Sequence, residues 1–328
     1  MASHEAQNLN PGAICAAISH LQLGGSDPFV NGEFQGGECR IFRVSFKDHP
    51  SLSLRVGHPT DGNRQDIIDS VDMERHIFRT LEEKGFTWFP HYRGASLTFD
   101  NPIKYPFMVL EWIEGSPLRW DDDTPSQPIR GALLAQIAEI QLSLISSTLE
   151  TRSITASTFF ERRIRNQLNR AHDGKLPGLT AKDCLDQLAL LPKVLGQDGN
   201  SRLFAMDHGD MKPANIIVDE EYNVKCIIDW GFAAIVPLAQ AAKLPCFLWT
   251  DESATCAPSR SMLKDRQIYV GSFSSQNSQA ALIMKRWQGA KDVDFRTLYL
   301  ESISSKGMLA SMASLGWKLP YCEFIEEF

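Results

Sequence analysis

The sequence predicts an α+β fold of two lobes, a small β-rich N-lobe followed by a larger, mainly helical C-lobe. Three observations carry this. Before Gly115 the apolar residues come in short β-branched and aromatic runs broken by glycine, with one prominent helical stretch. After Gly115 they recur at helical spacing over long segments, interrupted by one strand-like region between Phe204 and Leu238. The chain has 328 residues, 43% hydrophobic and 22% charged, which allows a sizeable core and is ordinary for a globular protein. The division implied is a helical segment over residues 1–27, an N-lobe over 28–115 and a C-lobe over 116–328.

In chain order, Pro11–Leu23 reads as a short amphipathic helix. "EFQGGECRIFRVSF" is a glycine turn between strands, and "LSLRV", Leu52–Val56, is another strand. "DIIDSVDMERHIFRTLEEKG" places Ile67, Ile68, Val71, Ile77, Phe78 and Leu81 at mostly helical spacing and ends at Gly85, a C-cap signal. "YPFMVLEWIEGSPL" is an apolar strand that stops at Gly115. In the C-lobe "PIRGALLAQIAEIQLSLISSTL" is a helix apolar enough for a core. "FFERRIRNQLNRAH" and "TAKDCLDQLALLPKVL" are further helices, joined by the turn signal "DGKLPG". Beyond Leu238 helices alternate with loops such as "DESATCAPSR" and "GSFSSQNSQ".

A net charge of −7 without a Lys/Arg block argues against a nucleic-acid partner, since a phosphate backbone needs a clustered basic surface; a local basic pocket for one phosphorylated ligand stays open. The first residues lack a basic n-region, and no run of about 18 apolar residues occurs, so neither a signal peptide nor a membrane partner is expected. Seven scattered cysteines without a C-x-x-C pair suit reduced thiols and a cytoplasmic setting. Oligomeric state has no signature in the sequence.

The stretch "FAMDHGDMKPANIIVDEEYNVKCIIDWGFAAIVPL" sets Asp210, Asn215 and Asp229 at the edges of interior-strand sequence. An ionised group there is costly without a partner. Either these are turn and capping residues, or they hold something positively charged. H-G-D-x-x-x-x-N, followed fourteen residues after Asn215 by Asp229 in "IIDW", resembles the catalytic loop and metal-binding motif of aminoglycoside phosphotransferases and choline-kinase-like enzymes. The resemblance spans roughly Phe34 to Trp249 and implies a bilobal protein-kinase-like fold. It also implies Mg²⁺-dependent transfer of the γ-phosphate of ATP to a hydroxyl of a small-molecule acceptor. Asp210 would then orient that hydroxyl and accept its proton. Asn215 and Asp229 would supply oxygen ligands to magnesium, a hard cation. Alone, Asn215 reads equally well as an Asx-turn residue, and His208 as a buried support for the loop. Asp207 stands where the family typically has an apolar or small residue, and nothing in the sequence assigns it a role.

Lys212 and "DWG" also resemble protein kinases, where such a lysine approaches the transferred phosphoryl group. Against that reading, Gly209 stands where protein kinases have arginine, and the chain continues into apolar "FAAIVPLAQAAKLP" rather than a segment ending in A-P-E. A nucleotide-binding module without turnover is the other alternative.

The resemblance implies that the first lobe covers the nucleotide. Gly36 and Gly37 could approach phosphate closely, although a plain hairpin turn explains them equally well. Arg55 aligns with the strand cation, usually lysine, and can bind phosphate bidentately. Glu74 matches the helix glutamate that pairs with that cation, or is a surface residue. Backbone groups of Glu111 and Ile113 would meet the adenine edge, with Trp112 read as core. "WDDDT", Trp120–Thr124, reads as a solvated turn rather than a metal cluster, since three consecutive acids cannot all face one ion. Basic "ERRIRNQLNR", with "LPCFLW", Trp287 and Trp317 as apolar surface, leans toward a neutral or anionic, partly apolar acceptor, unless these are ordinary surface and core residues. No G-x-S-x-G, H-E-x-x-H or Walker A pattern is present.

Overall fold

The computed structural model describes residues 7–60, 62–249, 254–275, 278–290 and 292–321. The chain forms two compact units. The first is Met1–Ser116 together with Ile217–Glu220 and Lys225–Gly231, and the second holds the remainder.

The first unit contains α1 (Pro11–His20), β1 (Phe29–Gln35), β2 (Cys39–Ser45), β3 (Leu52–Gly57), α2 (Arg64–Glu83), β4 (Tyr92–Ser96) and β5 (Phe107–Glu111). The five strands make one antiparallel sheet in the order β1-β2-β3-β5-β4. Period-2 alternation decides which face each residue takes. Leu52, Leu54 and Val56 of β3 enter a core with Phe42, Val44, Phe107 and Val109, which turns Arg55 to the other face. Ile14, Ala17 and Ile18 of α1 join the same core, so this helix is part of the unit's packing. Helix α2 begins with Asn63, whose side chain accepts from the Asp66 N–H at 2.9 Å, and closes at Gly85 with φ of 72°. Its Ile67, Ile77, Phe78 and Leu81 are buried. Strand β4 has no counterpart among the sequence expectations. Its "YRGAS" lacks clean alternation because a bulge between Tyr92 and Gly94 shifts the register.

The chain continues through the short β6 (Ser116–Pro117) to α3 (Gln127–Thr148), β7 (Glu150–Thr151), α4 (Ala156–His172), α5 (Ala181–Leu195) and β8 (Leu203–Asp207). Next come β9 (Ile216–Val218), β10 (Val224–Ile227), β11 (Ala234–Pro237), α6 (Leu238–Ala241), α7 (Arg260–Ser274), α8 (Gln279–Gln288), α9 (Val293–Ser302) and α10 (Lys306–Ser314). In the second unit β8 lies between β11 and β7, all antiparallel. Helix α3 is 22 residues long and apolar enough to cross a bilayer, but it packs on α7 and β8 and buries Leu133, Leu134, Ile137, Leu144 and Ile145. It is a core helix. Helix α5 opens with a capping box of Thr180 and Asp183. Helix α7 takes in Gly271–Ser274, which composition alone makes a loop. Trp287 and Trp317 are buried at 4% exposure, so they are core and not acceptor-facing surface.

A fully buried ion pair joins α3 to α7: Arg130 meets Asp265 at 2.6 Å, each side chain 2% exposed. The same guanidinium donates to the Asp121 and Thr124 carbonyls and stacks 3.8 Å from the Trp120 ring centroid. Asp121 accepts from the N–H groups of Asp123 and Thr124, so "WDDDT" is a turn held by Arg130. Removing one partner leaves a buried charge unpaired. Asp265→Ala should therefore destabilise the chain by about 3–5 kcal/mol in urea unfolding, and a loss below about 1 kcal/mol would contradict this account. No disulfide links the six cysteines among the described residues.

Candidate active site

Strand β8 ends at Asp207, paired with Ala234 of β11, and the loop that follows carries the candidate acid. Gly209 has φ of 80°, and a Cβ there would sit 2.5 Å from the Phe232 carbonyl oxygen. Only glycine fits, which accounts in steric terms for the absence of an arginine at this position. His208 is 1% exposed and its Nδ1 faces the Asp210 N–H at 3.3 Å, supporting the loop from beneath.

Asp210 Oδ2 accepts from Lys212 Nζ at 2.7 Å and from Asn215 Nδ2 at 3.2 Å. The Asp210 carbonyl oxygen also accepts from Asn215 Nδ2, at 2.9 Å, and from the Lys212 N–H, at 2.9 Å. Asn215 ends a 3₁₀ turn that begins at Pro213 and is nearly buried. With its amide nitrogen committed to Asp210, its oxygen is the end left to serve as an acceptor. The spacing of Asp210 and Asn215 is thus a local device: a six-residue turn that makes the amide hold the acid. Lys212 is half exposed and lies on Asp210 itself.

In the first unit three charged groups converge. Arg55 Nη1 meets Glu74 Oε1 at 2.5 Å and its Nη2 meets Asp229 Oδ1 at 2.8 Å, with the guanidinium side chain 13% exposed. Nε donates to Cys39 Sγ at 3.1 Å, a contact that no sequence signal announces. Burial works against the Arg55 charge, but Glu74, Cys39 and Asp229 hold its pKa above the ordinary value. Burial pushes the Glu74 carboxyl up, opposed by Arg55, and pushes the Cys39 thiol up as well, so the sulfur stays protonated. Asp229 sits at φ of 66°, a conformation that aspartate tolerates better than most residues. Trp230 anchors it: the ring is fully buried against Phe86 and Phe89, and its Nε1 donates to the Ile227 carbonyl at 2.8 Å.

Two carboxylates around one guanidinium leave a formal charge of −1 in a mostly buried place, where a divalent cation would restore balance. Within the first unit Asp229 offers magnesium a hard carboxylate oxygen. Among the described residues no group of three or more His, Cys, Asp or Glu side chains could hold a metal unaided.

The remaining N-lobe candidates are placed as follows. Gly36 and Gly37 form a tight hairpin between β1 and β2, closed by the Gly36 N–H on the Cys39 carbonyl at 2.9 Å; around Gly37 the space is open. The Glu111 N–H is spent on the His91 carbonyl at 2.9 Å and the Trp112 N–H on that of Ser51 at 3.1 Å. Among the described residues no hydrogen bond uses the Ile113 N–H. Trp112 is half-buried rather than core, lying between the Phe34 ring at 5.4 Å and the Arg43 guanidinium at 5.0 Å.

The sequence model of the phosphotransferase enzyme family matches residues 41–240. No curated protein gives a sequence match. Among solved structures, the chain resembles ADP-bound aminoglycoside phosphotransferase APH(2'')-Ib at 14% identity and a TM-score of 0.59, over 95% of this chain and 98% of that one. It resembles the ethanolamine kinase of Plasmodium vivax at 12% identity and a TM-score of 0.57, over 87% and 80%. The choline kinase of Cryptosporidium parvum gives 14% identity and a TM-score of 0.53, over 87% and 86%. The fold is therefore that of the protein-kinase-like phosphotransferases.

Proposed function

The chain belongs to the phosphotransferase enzyme family, and from that premise we propose that it transfers the γ-phosphate of ATP to a hydroxyl of a small-molecule acceptor, with magnesium. The observation that carries this reading is Arg55 held by both Glu74 and Asp229. It supports Arg55 as a working replacement for the strand lysine, because the guanidinium is charged, fixed and tied to the candidate metal ligand. Arg55 would meet nucleotide phosphate, with Glu74 orienting it. Asn215 and Asp229 would hold Mg²⁺, which supplies charge neutralisation at the phosphates. Asp210 would orient the acceptor hydroxyl and take its proton, and Lys212 would lie near the transferred group. The Ile113 N–H and the Glu111 carbonyl would face the base, and the Gly36–Gly37 hairpin would approach the phosphates.

A small-molecule acceptor is favoured over a protein because Ala234–Pro237 is paired with β8 along its whole length. That pairing leaves no free activation segment at this point of the chain. The neighbours act on aminoglycosides, choline or ethanolamine by name, and a hydroxylated small molecule is the chemistry these have in common.

Thermal stability tests the reading. MgATP at about 100 times its Kd should stabilise the chain by about 2.7 kcal/mol, raising Tm by roughly 5 °C, and a chelator should remove most of that shift. No shift with any nucleotide would overturn the reading. A shift with no phosphate release or transfer to any hydroxylated metabolite would point instead to a binding module without turnover.

A further inference from the structure

Asp207, which the proposed chemistry does not use, lies two residues before Gly209 at the end of β8 and is tied in two directions. Its Oδ1 accepts the Gly209 N–H at 3.2 Å, closing an Asx turn over His208. Its Oδ2 lies 3.8 Å from Lys243 Nζ, which is bonded in turn to Glu301 Oε2 of α9 at 2.6 Å. Lys243 is 8% exposed, and its backbone is held as well. The Gln141 side chain of α3 donates to the backbone carbonyls of Ala241 and Lys243 at 2.8 and 2.9 Å, while the Tyr269 hydroxyl of α7 donates to Gln141 Oε1. The catalytic loop is thereby keyed to three helices of the second unit through one acid.

The adjoining cavity, lined by Asp207, Gly209, Met211, Lys243, Cys246 and Glu301 among others, measures about 20 Å³. That is room for about one water molecule. The contacts Asp207 makes are to the loop itself, at the Gly209 N–H, and to Lys243. Gly209 is exposed and adopts φ of 80°, which glycine reaches without steric cost, so the bond its N–H gives to Asp207 is a restraint on an otherwise free turn.

Resting on the reading of Asp210 given above, we infer that Asp207 is a positioning residue for Asp210: its bond to the Gly209 N–H, steadied by Lys243 and Glu301, sets the loop that aims the catalytic carboxylate. It touches neither nucleotide nor acceptor.

The test uses MgATP hydrolysis, with water as acceptor, and amide hydrogen exchange on the full chain. Asp207→Ala should lower kcat about 10- to 100-fold, the loss expected for a misplacement of about 1 Å, with KM for MgATP changed less than about twofold. Exchange at Gly209 and Asp210 should accelerate in that variant. Asp207→Asn keeps an oxygen to accept the Gly209 N–H and should recover kcat to within about threefold of the parent, a rescue that a general loss of stability would not produce. An Asp207→Ala variant with parental kcat and parental exchange overturns the inference, and so does an Asp207→Asn variant as slow as Asp207→Ala. If Asp207→Ala does not fold, the parent decides: its exposed Gly209 amide should still exchange slowly, and fast exchange there overturns the brace. A parent that releases no phosphate from MgATP refutes the proposed function instead, and the exchange measurements still decide the role of Asp207.

Discussion

Replacing Asp210 by asparagine is expected to lower turnover by about 10²–10⁴-fold while nucleotide affinity stays near the parental value. The split follows from where the carboxylate stands. Asp210 contacts Lys212 and Asn215 within its own loop, while the groups proposed for the nucleotide, Arg55, Glu74 and Asp229, bond to one another in the first unit. An asparagine has the same shape and can present its oxygen to the Asn215 amide and the Lys212 ammonium, so the loop should survive. What it lacks is the charge that orients a donor hydroxyl and the basicity to take its proton. Initial rates at saturating MgATP, with phosphate release as readout, measure the first quantity; calorimetric titration with nucleotide measures the second. Parental turnover in this variant would remove Asp210 from the chemistry. Equal losses in turnover and in nucleotide affinity would mean that the substitution had disturbed the loop, and Asp210→Ser would then separate shape from charge.

What the sequence made legible was local. The six residues from Asp210 to Asn215 fix a turn by themselves, and β2, β3 and β5 announce themselves by β-branched runs flanked by glycine or polar residues. Helix α2 carries its C-terminal stop, Gly85, in the sequence. The less legible features depend on partners far along the chain. Arg55 and Asp229 are 174 residues apart, and no periodicity links them. Cys39 looks like any small strand residue until β2 sets it beside Arg55, because the register that pairs Ile41 with Arg55 is a property of the sheet. Asp207 read as an anomaly for the same reason: its counter-charge comes from Lys243 and its second acid from α9. Trp287 and Trp317 misled in the opposite direction, since composition cannot tell an aromatic residue that lines a surface from one packed in the interior.

The Asp229→Ala variant should lose the Mg²⁺-dependent part of nucleotide binding, so that affinity measured with magnesium falls at least about tenfold, to the value measured with a chelator. Two other effects of the substitution have to be separated from this one. Asp229 sits at φ of 66°, where alanine is strained and asparagine is tolerated. It also holds Arg55 at 2.8 Å, so its removal leaves the guanidinium on Glu74 alone. Asp229→Asn controls for both, since it accepts the left-handed backbone and can still accept from Arg55 through its amide oxygen. If Asp229 is a metal ligand, Asn should weaken the magnesium dependence nearly as much as Ala, because charge on the oxygen matters most to a hard cation. If Asp229 only steadies Arg55, Asn should behave like the parent and Ala should weaken binding equally with and without metal. The assignment falls if both variants keep the full difference between magnesium and chelator. In that event the proposal of Arg55 and Glu74 as a phosphate-binding pair would be unaffected, because their ion pair in the first unit does not depend on the metal.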